Sequence, residues 1–253
     1  MALELLRGAA PHGPCSYLPE ETASLQYRYL LDIEAAEFEA MLARGWRRQG
    51  ACFFRPGCPA CVKCRSLRVD VAAFSPGKSQ RRALKRNLDV RLVIRKPTVT
   101  RQHMEIFNAY HADMHRRRGW NFEPTRPEEY SRTFLAGNFS FASEFLYLQG
   151  RSLLGVGLVD VTPRAMSSIY FYHRPDWRPS SPGTFSVLKE LEFAKETGRQ
   201  WLYLGYWIAE NASMSYKNRF EPNEILERYV GDDEPPVWRA AQPGHRADAG
   251  VVG

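Results

Sequence analysis

From Phe141 onwards the chain carries three runs rich in apolar and aromatic residues, Phe141–Gln149, Leu153–Thr162 and Met166–His173, parted only by tight turns at Gly150-Arg151 and Pro163-Arg164. Strands joined that closely pair with their direct neighbours, so the pattern demands an antiparallel meander. Beyond it, Thr184 to Thr197 reads as an amphipathic helix, with Phe185, Leu188, Leu191 and Ala194 turned inward and Gly198 past its end. Gln200 to Trp207 is an apolar strand, Glu210 to Arg219 a short helix and Glu224 to Val230 a last strand. The expected class is α+β with a mainly antiparallel sheet.

The order βββ-α-β-α-β is that of the acetyltransferase-like (GNAT) fold, and it predicts a GNAT-like acyltransferase domain over residues 100–231. That domain opens with a helix from Thr100 to Arg118, burying Ile106, Phe107, Tyr110 and Met114 and stopping at Gly119, then a short helix over Pro127–Leu135. Residues 1–99 form a smaller, irregular Cys-containing unit. Its elements are a helix over Leu31–Ala43 that ends at Gly45, and short strands at Ala51–Arg55 and Ser66–Ala72 flanking a cysteine loop. Ser75-Pro76 reads as an N-cap and first-turn proline, which places a helix over Lys78–Asn87. From Asp232 the chain is rich in Pro, Gly, Ala and charge, so 232–253 is expected to be a disordered tail.

The cysteine loop holds Cys58, Cys61 and Cys64, three thiols at every third position that can converge on one small volume. Thiolates are the ligands that zinc and iron–sulfur centres favour, and a closed site needs a fourth, either Cys15 or Cys52. A buried thiol cluster and a redox switch are the competing readings. Five cysteines, an odd number with three crowded together, argue against a secreted disulfide framework and for a reduced, cytoplasmic protein. No apolar run approaches the ~20 residues that span a bilayer, so no membrane partner is expected.

The chain of 253 residues has a net charge of +7 and a pI near 9.2, which favours a polyanionic partner. Two clusters stand out. Lys78, Arg81, Arg82, Lys85 and Arg86 recur at helical spacing and form one basic stripe. Arg116, Arg117 and Arg118 end the next helix, where cations offset the C-terminal dipole and also suit phosphate contacts.

Cys15-Ser-Tyr-Leu-Pro19, Arg55-Pro-Gly-Cys58-Pro-Ala-Cys61, Ser79-Gln-Arg-Arg82, Ser167-Ser-Ile-Tyr-Phe-Tyr172, Leu202-Tyr-Leu-Gly-Tyr-Trp207 and Met214-Ser-Tyr-Lys-Asn-Arg-Phe220 together resemble the aminoacyl-tRNA–protein transferases. The resemblance runs to about Val230, and the short length is similar to the leucyl-transferring bacterial branch. Leu18 stands where the eukaryotic pattern has a second cysteine, which leaves Cys15, Cys58, Cys61 and Cys64 as a ligand set for zinc or an iron–sulfur cluster. The resemblance implies transfer of an amino acid from aminoacyl-tRNA to the α-amine of proteins beginning with Asp or Glu, marking them for degradation. Coenzyme A is not expected: the turn Arg174–Thr184 contains three prolines, and each removes an N–H donor from a phosphate nest.

Aminolysis of an ester that is already activated asks for positioning, oxyanion stabilisation and removal of one proton. Asp160 and His173, near the ends of two meander strands, are the candidate catalytic groups; a turn carboxylate and an ordinary strand end are their bland readings. Arg174, Lys217 and Arg219 are candidate partners for an acidic acceptor side chain. Tyr170, Tyr172, Tyr206 and Trp207 supply aromatic surface for a terminal adenosine, with core packing as the competing reading, and Tyr216 is a further candidate substrate-binding residue. A metal-stabilised RNA-binding module and an N-acetyltransferase remain as alternatives.

Overall fold

The computed structural model describes residues 2–241. A four-stranded antiparallel sheet comes first, in the order β1 (Leu3–Ala9), β4 (Leu25–Asp32), β6 (Cys52–Pro56), β5 (Arg47–Gln49), and the two-residue strands β2 (Gly13–Pro14) and β3 (Thr22–Ala23) close the loop between β1 and β4. Helix α1 (Ala35–Ala43) packs on it through Phe38, whose ring stacks on Phe141 at 4.7 Å and meets Phe53 edge-on at 5.3 Å. The helix expected from Leu31 therefore starts four residues late. Leu30 is fully buried while Leu31 is exposed, the two-residue period of a strand, and this stretch continues β4.

The second sheet has eight strands, in the order β14 (Trp238–Ala240), β13 (Asn223–Leu226), β7 (Arg65–Asp70), β12 (Trp201–Trp207), β11 (Ala165–His173), β10 (Ser152–Val161), β9 (Ala142–Gln149), β8 (Val90–Arg95). Only β11 and β12 run parallel, and helix α5 (Pro182–Glu196) makes the crossover that a parallel pair requires. Phe145 and Tyr147 of β9 and Leu202 and Leu204 of β12 pack against α5, with α2 (Lys78–Arg86) beside it. On the opposite face Leu146 and Leu158 meet α3 (Arg101–Arg118) and α4 (Pro127–Tyr130), whereas Tyr203 joins the core of the small sheet. The last elements are α6 (Ala212–Ser215) and a 3₁₀ turn at Tyr216–Arg219. The α+β class, the meander and the mainly antiparallel sheet agree with expectation.

Other boundaries differ as well. The expected break at 99/100 does not separate the two sheets, since β7 and β8 precede it and both belong to the eight-stranded sheet. The expected disordered tail over 232–253 begins with ordered chain: Trp238 donates from Nε1 to the Ala43 carbonyl at 3.0 Å and covers the Arg68 guanidinium, which Trp201 covers from its other side. Residues 242–253 lie outside the described residues. Helix α2 is capped at Gly77, whose N–H donates to Gln80 Oε1 at 2.7 Å, rather than at Ser75. Helix α3 stops at Gly119 as expected, left-handed at φ 68°, while Thr100, expected as its first residue, is its N-cap and accepts from the His103 N–H. Among the described residues no helix is long and apolar enough to cross a membrane.

One ion pair joins the sheets. Arg48 of β5 reaches Asp160 of β10 with two N–H groups, Nε to Oδ2 at 2.9 Å and Nη2 to Oδ1, and both side chains are almost wholly buried. The same guanidinium lies 4.7 Å from the Phe139 ring. Desolvation pushes the Asp160 carboxyl up from its ordinary value against the pull of Arg48. Asp160, expected as a catalytic group, is instead a structural anchor with both oxygens occupied and no exposure to solvent. Removing one member of such a pair strands the other, so Asp160→Ala is expected to lower unfolding free energy by roughly 3–5 kcal/mol in urea titrations. A loss below about 1 kcal/mol accompanied by lost turnover would return Asp160 to the catalytic group.

Candidate active-site cleft

The cleft exists because two strands part in the middle of the sheet. β11 and β12 pair only through Ala165–Trp201, Met166–Leu202 and Ser167–Tyr203, then diverge. Each carries a bulge where they separate. Opposite β10 the register skips Ile169, and opposite β7 it skips Leu204. An extra residue bends its strand and increases the local twist, so two bulges side by side turn the strands away from each other. Gly205, just past the second bulge, sits at φ 81°, where a side chain is strained, and an added Cβ would stand 3.4 Å from the Arg47 guanidinium. Ser168 to Phe171 are consequently only half-buried, although β11 is a central strand.

Arg47 enters this gap from β5. It is buried, and it donates to the Ser168 carbonyl and, at 3.4 Å, to the Tyr203 carbonyl, linking the two parted strands. Burial pulls its guanidinium below the ordinary value. Glu190 approaches from α5, with Oε1 accepting from Ser168 Oγ at 3.4 Å, and burial pushes its carboxyl up to about 8. Sequence reasoning missed both residues. For Glu190 a signal was present: it lies between Val187 and Ala194 on the apolar stripe of α5.

Along the β11 wall, Tyr170 Oη and His111 Nε2 are 2.8 Å apart, and His111 Nδ1 is 2.8 Å from the Phe107 carbonyl. A carbonyl can only accept, so Nδ1 carries the proton and Nε2 accepts from Tyr170. His173 follows the same logic, donating from Nδ1 to the Arg174 carbonyl at 2.8 Å, and burial lowers its affinity for a second proton. It is therefore a neutral imidazole, packed 5.1 Å from the Tyr110 ring, and it keeps its place as a candidate proton acceptor. Arg174 is engaged by Asp176 at 2.5 Å at the outer end of this wall.

The opposite wall changes two expectations. Tyr206 is buried, and its hydroxyl donates to the Phe54 carbonyl at 3.0 Å, tying β12 to the small sheet instead of lining the cleft. Lys217 is also buried, with Nζ donating to the Tyr206 carbonyl at 2.7 Å. Desolvation, with the Arg47 charge nearby, lowers it to about 7, so it is not a cation free to receive an acceptor carboxylate. Tyr216 is 40% exposed and close enough to Glu190 and Tyr110 to feel both, which places it at the cleft mouth. Arg219 is exposed and makes no ion pair among the described residues.

A basic rim spans the mouth. α2 is fixed at one end by Gln80 Nε2 donating to the Arg219 carbonyl at 3.1 Å and at the other by Asn87 Nδ2 donating to the Ser180 carbonyl at 2.8 Å, so it runs from one wall to the other. Lys78, Arg81, Arg82, Lys85 and Arg86 are all exposed on it. Arg116, Arg117 and Arg118 are exposed at the end of α3; Arg117 and Arg118, with Arg178, act on Tyr110, while Arg116 and Arg178 share Asp113.

The cysteines lie behind the Lys217 wall. Cys58, Cys61 and Cys64 line a cavity of about 210 Å³, and burial together with the thiols of Cys15, Cys58 and Cys61 pushes Cys64 up to about 12. Cys52 stands apart, on the small sheet beside Tyr29. The thiols of Cys15, Cys58, Cys61 and Cys64, expected as a ligand set for zinc or an iron–sulfur cluster, are near enough for the first three to act electrostatically on Cys64. Among the described residues, however, no three His, Cys, Asp or Glu side chains come close enough to hold a metal ion, so no chemistry is routed through one.

Two measurements test this geometry. Folded Lys217 releases its proton near 7 and an unfolded lysine near 10.4, so between those values the unfolded state binds more protons and stability rises with pH. Urea titrations from about pH 7 to 9 are expected to show that rise, and Lys217→Met to reduce it by up to about 1.4 kcal/mol per pH unit; an unchanged slope would contradict the buried, neutral lysine. For the rim, replacing Arg82 and Lys85 with Ala is expected to weaken tRNA binding and flatten its salt dependence by a log–log slope of roughly one to two, because fewer counterions are released. Equal affinity at low and high salt would take α2 out of the interface.

The models of the arginine-tRNA-protein transferase family match two stretches, the N-terminal one over residues 13–82 and the C-terminal one over 102–227. The aspartate/glutamate leucyltransferase of Helicobacter hepaticus is 36% identical over 224 residues, covering 88% of this chain and 93% of that protein. Those of Campylobacter jejuni and Pseudomonas paraeruginosa are 32% and 34% identical, over 84% and 87% of this chain and 89% and 93% of theirs. Among solved structures, FemX superposes with a TM-score of 0.49 at 8% identity, covering 90% of this chain and 88% of that one, and L-PGS from Bacillus licheniformis with 0.44 at 13%, covering 84% and 65%. With both family models matched in order and a third of residues identical along nearly the whole length, the chain belongs to the aminoacyl-tRNA–protein transferase family.

Proposed function

We propose that this protein transfers leucine from leucyl-tRNA to the N-terminal α-amine of proteins beginning with Asp or Glu, and that it works in the cytoplasm to mark them for degradation. The observation that carries the reading is the near-full-length likeness to proteins named for that activity. The cleft suits the chemistry. The acceptor stem lies along the exposed cations of α2, and the terminal adenosine meets the aromatic wall formed by Tyr170, Tyr110 and Tyr216. The attacking amine forms a bond to the ester carbonyl carbon, the bond to the ribose oxygen breaks, and the proton lost by nitrogen ends on that oxygen. The ladder between β11 and β12 ends at Ser167, and the backbone N–H groups just past it are the donors we assign to a developing oxyanion.

Arg219 is the cation we assign to the acceptor's acidic side chain, because Lys217 is buried and Arg174 is engaged by Asp176. Labelled leucine or arginine carried on tRNA, offered with peptides beginning in Asp, Glu or Asn, tests the whole reading. Leucine transfer to Asp and Glu peptides is expected; transfer of arginine alone would reassign the donor, and tRNA binding without transfer or acetyl-coenzyme A turnover would favour the competing classes. With Arg219→Ala, discrimination against the Asn peptide is expected to fall tenfold to a hundredfold in kcat/KM, since a charge-assisted hydrogen bond contributes roughly 1.5–3 kcal/mol. Retained Asp-over-Asn preference with weakened tRNA binding would move Arg219 to the nucleic-acid surface.

A further inference from the structure

Glu190 is 1% exposed, and its Oε2 has no hydrogen-bond partner among the described residues, while Oε1 takes one from Ser168. The groups that act on it are Ser168 from β11, Tyr147 from β9, Arg47 from β5 and Tyr216 from the turn after α6. None of them satisfies Oε2. Arg47 lies within electrostatic reach, but its N–H groups are directed to the Ser168 and Tyr203 carbonyls and it forms no ion pair with Glu190. Ser168 is the first residue of β11 past the paired stretch, so the carboxyl group it bonds through Oε1 lies beside the point where β11 and β12 part.

We propose that Glu190 is the proton acceptor for the attacking α-amine, with Ser168 holding its other oxygen. The assignment rests on the aminoacyl-transfer reading. As nitrogen bonds to the ester carbon, one N–H proton passes to the Glu190 carboxylate; as the carbon–oxygen bond to ribose breaks, that proton passes to the departing oxygen and the carboxylate is restored. A carboxyl held at about 8 is matched to an α-amine of about 7.7–8.0, so neither transfer is strongly uphill.

The test uses Glu190→Gln, which resembles the protonated carboxyl that prevails at neutral pH and should therefore preserve the fold; thermal melts and leucyl-tRNA affinity check this. Leucyl transfer to an Asp peptide is measured from about pH 6 to 9. The required base and the free amine are both lost as pH falls, so below about pH 7 the slope of log kcat/KM should be lower by one in Glu190→Gln than in the wild type, with kcat reduced about a hundredfold or more. A rate within about threefold of wild type, an unchanged slope, or an effect confined to the KM for leucyl-tRNA would overturn the proposal. Should Glu190→Gln not fold, Glu190→Asp is expected to keep the steep slope at a reduced rate, and a shallow slope in that folded variant would likewise overturn it. No transfer by the wild-type protein would sink the transferase reading and this proposal together, whereas wild-type transfer with an unaltered Glu190→Gln profile sinks this proposal alone.

Discussion

Two consecutive arginines on β5, Arg47 and Arg48, hold the two sheets in register, and the cleft depends on them. Arg48 is anchored to Asp160 through paired N–H groups, while Arg47 links the carbonyls of two strands that no longer bond to each other. Strands that part in a sheet interior leave backbone polar groups without ladder partners, and an unpaired buried group is costly. A guanidinium has five donors in a rigid fork, so one side chain can serve carbonyls on both sides of a gap where a lysine would serve them less well. The opening in the sheet is thus a stabilised feature with two bulges and a plug behind it.

Desolvation sets the character of the ionisable groups around that plug. It holds Glu190 near 8 and Lys217 near 7, and it keeps His111 and His173 neutral. The Glu190 carboxyl and the Lys217 amine, which differ widely in water, are brought toward the range in which an α-amine exchanges its proton, while the two imidazoles are moved below it. Arg47 contributes in opposite senses to its two neighbours, favouring the charged form of Glu190 and disfavouring that of Lys217. Separating these influences requires the positions of all three, because each is a short-range electrostatic effect in a poorly screened interior.

The basic rim and the cleft are coupled mechanically. α2 is tied to the Tyr216–Arg219 turn by Gln80 and to the β11–α5 connection by Asn87 and Arg86. Anything that docks on its exposed cations therefore bears on a helix attached to both walls. Phosphate contacts position a nucleic acid without reading its sequence, which suits a surface whose task is to direct one end of a long polyanion into an opening.

Much of this was legible in the chain itself. The meander, helix α5, α3 with its stop at Gly119 and the basic stripe follow from local rules: apolar period, turn residues, capping and charge spacing depend on neighbours a few positions apart. The family followed from motifs spread over most of the length. What the sequence could not express is which groups share an enclosed space. Asp160 read as a strand-end carboxylate open to catalysis until Arg48, 112 residues earlier, occupied both its oxygens. Lys217 and Tyr206 read as surface groups until each found a backbone carbonyl in the interior. Glu190 lies on the apolar stripe of α5, and only the parting of β11 from β12 gives it a role. Sequence by itself determined the elements and the family, because those are written in local patterns and in likeness to relatives. Tertiary structure alone decided which charges are anchors and which stand at the cleft, because burial and pairing are properties of residues far apart in the chain.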